Sequence, residues 1–191
     1  MKYYAVIDTN VLVSAMLKEG SAPWSVLREA LDGCIIPLVS DDILAEYGEV
    51  LLRAKFGFSK PTVKDLLGEL PKRAVFISPV PSGEVLPDPD DAVFYEVVMT
   101  AQETADSYLI TGNTKHFPVK PFIVTPREML DIIAGKFFIA YAPIESEKFL
   151  SMPKELARKY EEKFKYPERF YKSLDGIEAK PYKPVSKDME R

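Results

Sequence analysis

The sequence contains a single cysteine, Cys34, and a single histidine, His116, among 191 residues. A lone cysteine cannot close an internal disulfide, so a small disulfide-stapled scaffold is excluded. One His and one Cys cannot build a zinc centre from nitrogen and sulfur ligands either. Charge of one sign is not in excess: 25 Lys and Arg stand against 29 Asp and Glu, a formal net of −4. A basic coat protein that neutralises nucleic-acid phosphates by cation excess is therefore disfavoured, whereas a nuclease that grips phosphate through metal ions is not excluded. Apolar runs fall short of the ~18 residues that a membrane span requires. The opening stretch MKYYAVIDTNVLVSAML is weakly leader-like, but Asp8 and Asn10 interrupt it and no small-residue cleavage site follows, so a cytoplasmic protein is expected. No G-x-G-x-x-G follows the first apolar run, which disfavours a dinucleotide enzyme.

What is present is an ordinary globular balance, 47% hydrophobic and 28% charged, in a chain long enough for one compact domain with an extension. Residues 1–144 carry 13 basic and 19 acidic residues, and residues 145–191 carry 12 and 10. With the composition change near Pro143, this predicts a core domain over 1–143 and an extension over 144–191. In the core, short apolar runs (Tyr3–Ile7, Ile35–Val39, Val75–Ile77, Tyr108–Thr111, Phe122–Thr125) alternate with helical patterns. Ser40 can cap a helix with Asp41 and Asp42 in its first turn, and Thr125-Pro126-Arg127-Glu128 reads as a capping box. The alternation predicts a three-layer α/β/α fold around a short-stranded parallel sheet.

In such folds ligands bind beyond the carboxyl ends of the strands. There the sequence places Asp8-Thr9-Asn10, Asp88-Pro89-Asp90-Asp91 and Thr111-Gly112-Asn113, with Glu46 two turns into the helix after the second strand. Each has an ordinary explanation as a cap, a turn or a solvated charge. Capping accounts for one or two acids in 88–91 but not three, whose mutual repulsion opposes folding. Clustered carboxylates without a matching Arg cluster call for a cation, and oxygen ligands suit Mg²⁺ or Mn²⁺. With carboxylates and such an ion, phosphoryl transfer is the natural chemistry. His116, in the loop 114–118, reads as a turn or packing residue.

At these residues the sequence resembles the PIN-domain ribonucleases, and specifically the VapC-like toxins of prokaryotic toxin–antitoxin pairs. The resemblance is carried by Ala5 to Ala15, Val39 to Tyr47, Asp88 to Asp91 and Tyr108 to Asn113, and spans residues 1–135. It implies a metal-dependent endoribonuclease in which a water activated by Mg²⁺ or Mn²⁺ attacks an RNA phosphodiester. Asp8 matches the first acid, Glu46 the second, and Asp91 the third, with Asp90 as its competitor. Neighbouring helical residues point about 100° apart, so only one of that pair faces a shared ion. Many family members have Asp where this chain has Asn113, which puts two-metal chemistry in doubt. Thr9, Asn10, Ser14 and Thr111 are implied to orient the carboxylates from behind. The resemblance also implies an RNA substrate, an antitoxin protein as partner, and homodimers. Two rival readings remain: an inactive PIN-like binding or partner-docking module, which Asn113 permits, and a phosphatase, which would need Asp where Asn10 stands.

The extension lies outside the resemblance. Leu156, Tyr160 and Phe164 recur at spacing four and predict a helix over Met152–Lys165, with a further turn or two over Tyr166–Leu174 and a loose tail from Asp175. Basic and aromatic residues interleave over 163–172, which makes Lys163, Lys165, Arg169 and Tyr171 candidate RNA or partner contacts. An amphipathic helix packed on the core is the plainer expectation.

Overall fold

The computed structural model describes residues 2–134 and the backbone of 137–141, 149–153, 169–173 and 180–182. The chain divides into two compact units, residues 1–130 and 131–191. The sequence reading puts the division at 143/144.

The first unit is built from β1 (Tyr3–Ile7), α1 (Thr9–Leu17), α2 (Ala22–Asp32), β2 (Ile35–Val39), α3 (Asp41–Leu51), α4 (Lys60–Glu69), β3 (Val75–Phe76), α5 (Ala92–Gln102), β4 (Ser107–Ile110) and β5 (Ile123–Val124), with α6 (Pro126–Ile133) after them. The five strands form one sheet in the order β3-β2-β1-β4-β5. Every pairing is parallel. With flanking helices this is the expected three-layer α/β/α architecture. Strands covered on both faces must be apolar throughout rather than alternating. Accordingly Ala5, Val6, Ile7, Leu109 and Ile110 are almost wholly buried, and Leu12, Val26, Ile43, Phe94 and Val98 cover them from α1, α2, α3 and α5. Burying each of the Val, Leu, Ile and Phe side chains among them contributes roughly 1.5–3 kcal/mol.

The strand order places the site. The chain leaves β1 to one side, for β2 and β3, and returns on the other side as β4 and β5. The order therefore reverses between β1 and β4, and their carboxyl ends open the crevice where such sheets bind ligands. The two strands run in register from Tyr4 opposite Ser107 to Ile7 opposite Ile110. One step further on, the Asp8 amide donates to the Ile110 carbonyl at 3.0 Å. Asp8 and Thr111 thus leave neighbouring strands at the same level.

Helix starts follow the capping chemistry read from the sequence. Ser40 Oγ accepts from the Ile43 amide at 3.2 Å. The box at α6 is reciprocal: Thr125 Oγ1 accepts from the Glu128 amide at 3.2 Å, and the Glu128 carboxylate accepts from the Thr125 amide at 2.7 Å. The helix expected from Pro89 begins instead as a 3₁₀ turn over Pro89–Asp91, and α5 starts at Ala92.

The second unit departs from expectation. Its described backbone is a four-stranded antiparallel sheet of β6 (Phe137–Tyr141), β7 (Phe149–Pro153), β8 (Arg169–Ser173) and β9 (Lys180–Tyr182), in the order β7-β6-β8-β9. Met152 and Pro153 end a strand, residues 169–173 are strand rather than extra helical turns, and the tail expected to be loose contains β9. Residues 154–165, which hold most of the expected helix, lie outside the described residues. The physical reason is long-range pairing. Phe137-Phe138-Ile139-Ala140-Tyr141 is rich in aromatic and branched side chains that favour a pleated surface, and it pairs on both sides with segments far along the chain. Local spacing within 152–174 carries no trace of that partner. Among the described residues, no helix is long and apolar enough to cross a membrane.

The α6 capping box provides a test of this local reading. Thr125→Ala removes the acceptor for the Glu128 amide and is expected to cost about 1 kcal/mol in urea unfolding, while Thr125→Ser retains most of the stability. An Ala variant as stable as the wild type would show that α6 does not depend on its cap.

Candidate functional site

Asp8 is the N-cap of α1 and is only 4% exposed. Its Oδ1 accepts from the Asn10 amide at 3.0 Å, which satisfies the first turn of the helix. Its Oδ2 accepts from Asn10 Nδ2 and from Thr111 Oγ1, the latter at 2.6 Å. Asn10 in turn spans β1 and β4, since its Oδ1 accepts from the Gly112 amide at 3.0 Å. A Cβ at residue 112 would lie 3.0 Å from that same oxygen, so glycine permits the close approach. Thr111, fully buried, also accepts from the Asn113 amide at 2.9 Å.

Glu46 reaches the same place from α3. Thr9 Oγ1 donates to Glu46 Oε1 at 2.6 Å. The next residue, Tyr47, is buried and donates its hydroxyl to the Ile7 carbonyl at the end of β1. That bond, with Phe94 stacked on the Tyr47 ring, locks this turn of α3 against the strand that ends in Asp8.

The third contribution comes from the 3₁₀ turn before α5. Asp88 caps it, accepting from the Asp90 amide at 3.1 Å. Asp90 is exposed, whereas Asp91 is half-buried. Asp91 Oδ2 lies 2.7 Å from His116 Nδ1. One ligand atom from each of Asp88, Asp91 and His116 falls within 4.8 Å of the others, close enough to share one cation.

The electrostatics agree with the geometry. Burial pushes the Asp8 carboxyl above the ordinary carboxylate range, against the hydrogen bonds from Thr111 and Asn10, and the Asp91 charge pushes it further. Glu46 is raised by burial and then by the charges of Asp8, Asp91 and Asp90. Asp91 is raised by burial and by Asp88 and Asp90, while the His116 hydrogen bond opposes this. Five acids from three parts of the chain, Asp8, Glu46, Asp88, Asp90 and Asp91, therefore repel one another in a partly dry crevice. Among the described residues, none of Asp8, Glu46, Asp90 or Asp91 forms an ion pair with Lys or Arg. Glu46 Oε2 and Asp91 Oδ1 accept no hydrogen bond from the described residues. Hard oxygen donors, excess negative charge and unpartnered carboxylate oxygens fit a divalent cation such as Mg²⁺.

Of the residues singled out from sequence, hydrogen bonds join Asp8 with Asn10 and Thr111, and Glu46 with Thr9; Asp91 groups with Asp88 and His116 and lies near enough for its charge to act on Asp8 and Glu46, with Asp90 at the exposed rim. Asn113 stands in the same turn and contributes through its backbone; its side chain makes no hydrogen bond among the described residues. Ser14 is exposed on α1 and makes no hydrogen bond to the carboxylates. Lys163 and Lys165 lie outside the described residues, and Arg169 and Tyr171 are described only as backbone of β8. Sequence reasoning missed His116, which it read as a turn residue, and it left Asp88 out of the site. The available signal was topological: His116 stands five residues past Thr111, in the connection that the fold sends over the same sheet edge.

Glu46 offers the cleanest test of the repulsion, because Gln keeps an acceptor for Thr9 and removes the charge. A carboxyl raised in the fold carries no penalty below the ordinary carboxylate range, where folded and unfolded chains are both protonated. The penalty grows as pH rises through the ordinary value toward the raised one and is complete above it. Without divalent cations, Glu46→Gln is therefore expected to melt above the wild type at pH 7 by about 2–4 °C. That is the shift of about 1 kcal/mol in a chain of this size, discounted for partial exposure. The difference should close toward about pH 4. An unchanged or lower melting temperature at pH 7 would remove the case for repulsion at this residue.

Comparison with known proteins adds one match. The family model for the PIN domain matches residues 4–115, which include every residue of the crevice except His116. No curated protein and no solved structure shows significant similarity to the chain.

Proposed function

The chain belongs to the PIN domain family, whose members are generally nucleases that need divalent metal ions, and from that premise we propose that it is a metal-dependent endoribonuclease of the cytoplasm. The observation that carries the proposal is the gathering of Asp8, Glu46 and Asp91 near enough for their charges to act on one another, with no Lys or Arg partner among the described residues and with two of them holding a carboxylate oxygen that accepts no hydrogen bond.

In this reading Asp8, Glu46 and Asp91 hold Mg²⁺ or Mn²⁺, and Asp88 and Asp90 add negative charge at the rim. When bound, the ion lowers the pKa of a coordinated water and offsets charge on the phosphate. Thr9, Asn10 and Thr111 fix the carboxylates through neutral donors and leave their charge intact. A water oxygen forms the new bond to phosphorus while the bond to the 3′ oxygen breaks. The products carry a 5′-phosphate and a 3′-hydroxyl.

The finer part of the proposal is biological. The likeness to VapC-like proteins supports a toxin of a toxin–antitoxin pair, with an antitoxin that blocks the acidic crevice and a homodimeric active form. Asn113 favours one alternative, an inactive PIN-like binding module, because its amide offers a neutral acceptor in place of a carboxylate.

Incubation of the protein with a pool of single-stranded and structured RNA decides between them. Cleavage is expected with Mn²⁺ or Mg²⁺, to be lost with EDTA, and to fall by about 10²-fold or more in Asp8→Asn and Asp91→Asn. Ends bearing 2′,3′-cyclic phosphate would overturn the water-nucleophile chemistry. Intact Mn²⁺ binding without cleavage of any RNA would move the reading to the binding module.

A further inference from the structure

We propose that His116 is a positioning residue for Asp91: its Nδ1–H holds the Asp91 carboxylate in the orientation that completes the cation site with Asp8 and Glu46. The inference rests on the metal-dependent reading above and deepens it.

The contact joins two connections that are far apart in sequence. Asp91 belongs to the turn after β3, and His116 to the turn after β4, with Nδ1 and Oδ2 2.7 Å apart. An ionised carboxylate only accepts, so the hydrogen lies on Nδ1. A nitrogen that carries this hydrogen has no lone pair for a cation. Nδ1 is therefore a donor to Asp91 and not a ligand, although the His116 ring stands within cation-sharing distance of Asp88 and Asp91. Only Oδ2 of Asp91 is engaged, and Oδ1 accepts no hydrogen bond among the described residues. One oxygen is pinned and the other is left for an ion.

The choice of residue fits that task. Lys or Arg at position 116 would fix Asp91 equally well but would place a full positive charge against it, competing with the cation. The ring meets Asp91 through a single N–H and leaves the second carboxylate oxygen open. The turn that presents it is also tied to the first acid. Thr111 Oγ1 donates to Asp8 and accepts from the Asn113 amide. The Asn113 carbonyl then accepts from the His116 amide at 3.1 Å. A chain of contacts through Asp8, Thr111, Asn113, His116 and Asp91 sets two carboxylates from one turn.

The test is Mn²⁺ titration of the full chain by calorimetry, comparing wild type with His116→Leu and His116→Asn. Leu approximates the size of the ring and lacks the donor, whereas Asn carries an N–H on Cγ, where Nδ1 sits in histidine. The Leu variant is expected to bind Mn²⁺ about 10–100-fold more weakly, and the Asn variant to stay within about threefold of wild type, in the manner of residues that orient metal ligands. His116→Ala is the second loss variant should Leu crowd the turn, and melting curves without metal establish that each variant is folded. In RNA cleavage the Leu variant should lose kcat at saturating Mn²⁺ with KM for RNA little changed. A folded Leu or Ala variant that binds Mn²⁺ like wild type overturns this inference alone. An Asn variant as weak as Leu also overturns it, because the ring itself would then be needed. Wild-type protein that binds no Mn²⁺ overturns the metal-dependent reading and this inference with it.

Discussion

The arrangement of the site depends on placing one carboxylate, Asp8, at the buried end of the central strand. Moving an ionised carboxylate out of water costs several kcal/mol unless hydrogen bonds or a cation replace the lost hydration. The protein supplies three hydrogen bonds: from the Asn10 amide, the Asn10 side chain and the Thr111 hydroxyl. All three donors are neutral, so they satisfy the oxygens and leave the charge in place. Each also ties Asp8 to something else: the Asn10 amide to the start of α1, the Asn10 side chain to Gly112, and Thr111 to the turn after β4.

The same constraint explains how the other acids are brought in. Among the described residues Glu46 is held by no Lys or Arg; it is delivered by its neighbour Tyr47, whose hydroxyl reaches the Ile7 carbonyl one residue before Asp8. Thr9, one residue after Asp8, then fixes the Glu46 carboxylate. Three successive residues, Ile7, Asp8 and Thr9, therefore organise the strand end, the buried charge and the second acid. The result is a crevice that works against the stability of the metal-free fold, since each raised carboxyl marks free energy lost to burial and repulsion at neutral pH. Proteins keep such local conflicts where function requires them, and the conflict is relieved when a cation binds the folded state and not the unfolded one.

The first unit was legible because its signals are local. Buried parallel strands read as continuous apolar runs, and Ser40 and Thr125 begin helices where capping chemistry says they should. The rule that ligands sit beyond the carboxyl ends brings Asp8, Asp88 to Asp91 and Thr111 to one edge from the order of elements alone. What could not be read was pairwise and long-range. Nothing near His116 in sequence names Asp91 as its partner. Nothing within 152–174 discloses that 169–173 pairs with 137–141 in an antiparallel sheet, because the helix-like spacing of Leu156, Tyr160 and Phe164 is a local pattern and the strand partner is not. Ser14 shows the converse error. Spacing four from Asn10 predicts a shared helix face, but that face turns outward after one turn and leaves the hydroxyl exposed.

Neutral donors recur around the first two acids: Thr9, Asn10 and Thr111. A single Arg among them would give a strong bidentate clamp on a carboxylate. It would also occupy the place of the cation. The crevice instead uses groups that fix geometry and leave net charge, which separates a cation site from a structural ion-pair network with the same acids. Asn113 belongs to this scheme through its backbone, which accepts from His116 and donates to Thr111, while its amide adds no charge. Asp at that position would add another negative charge to a sheet edge that already carries several, whereas the amide leaves the backbone contacts of the turn as they are without that charge.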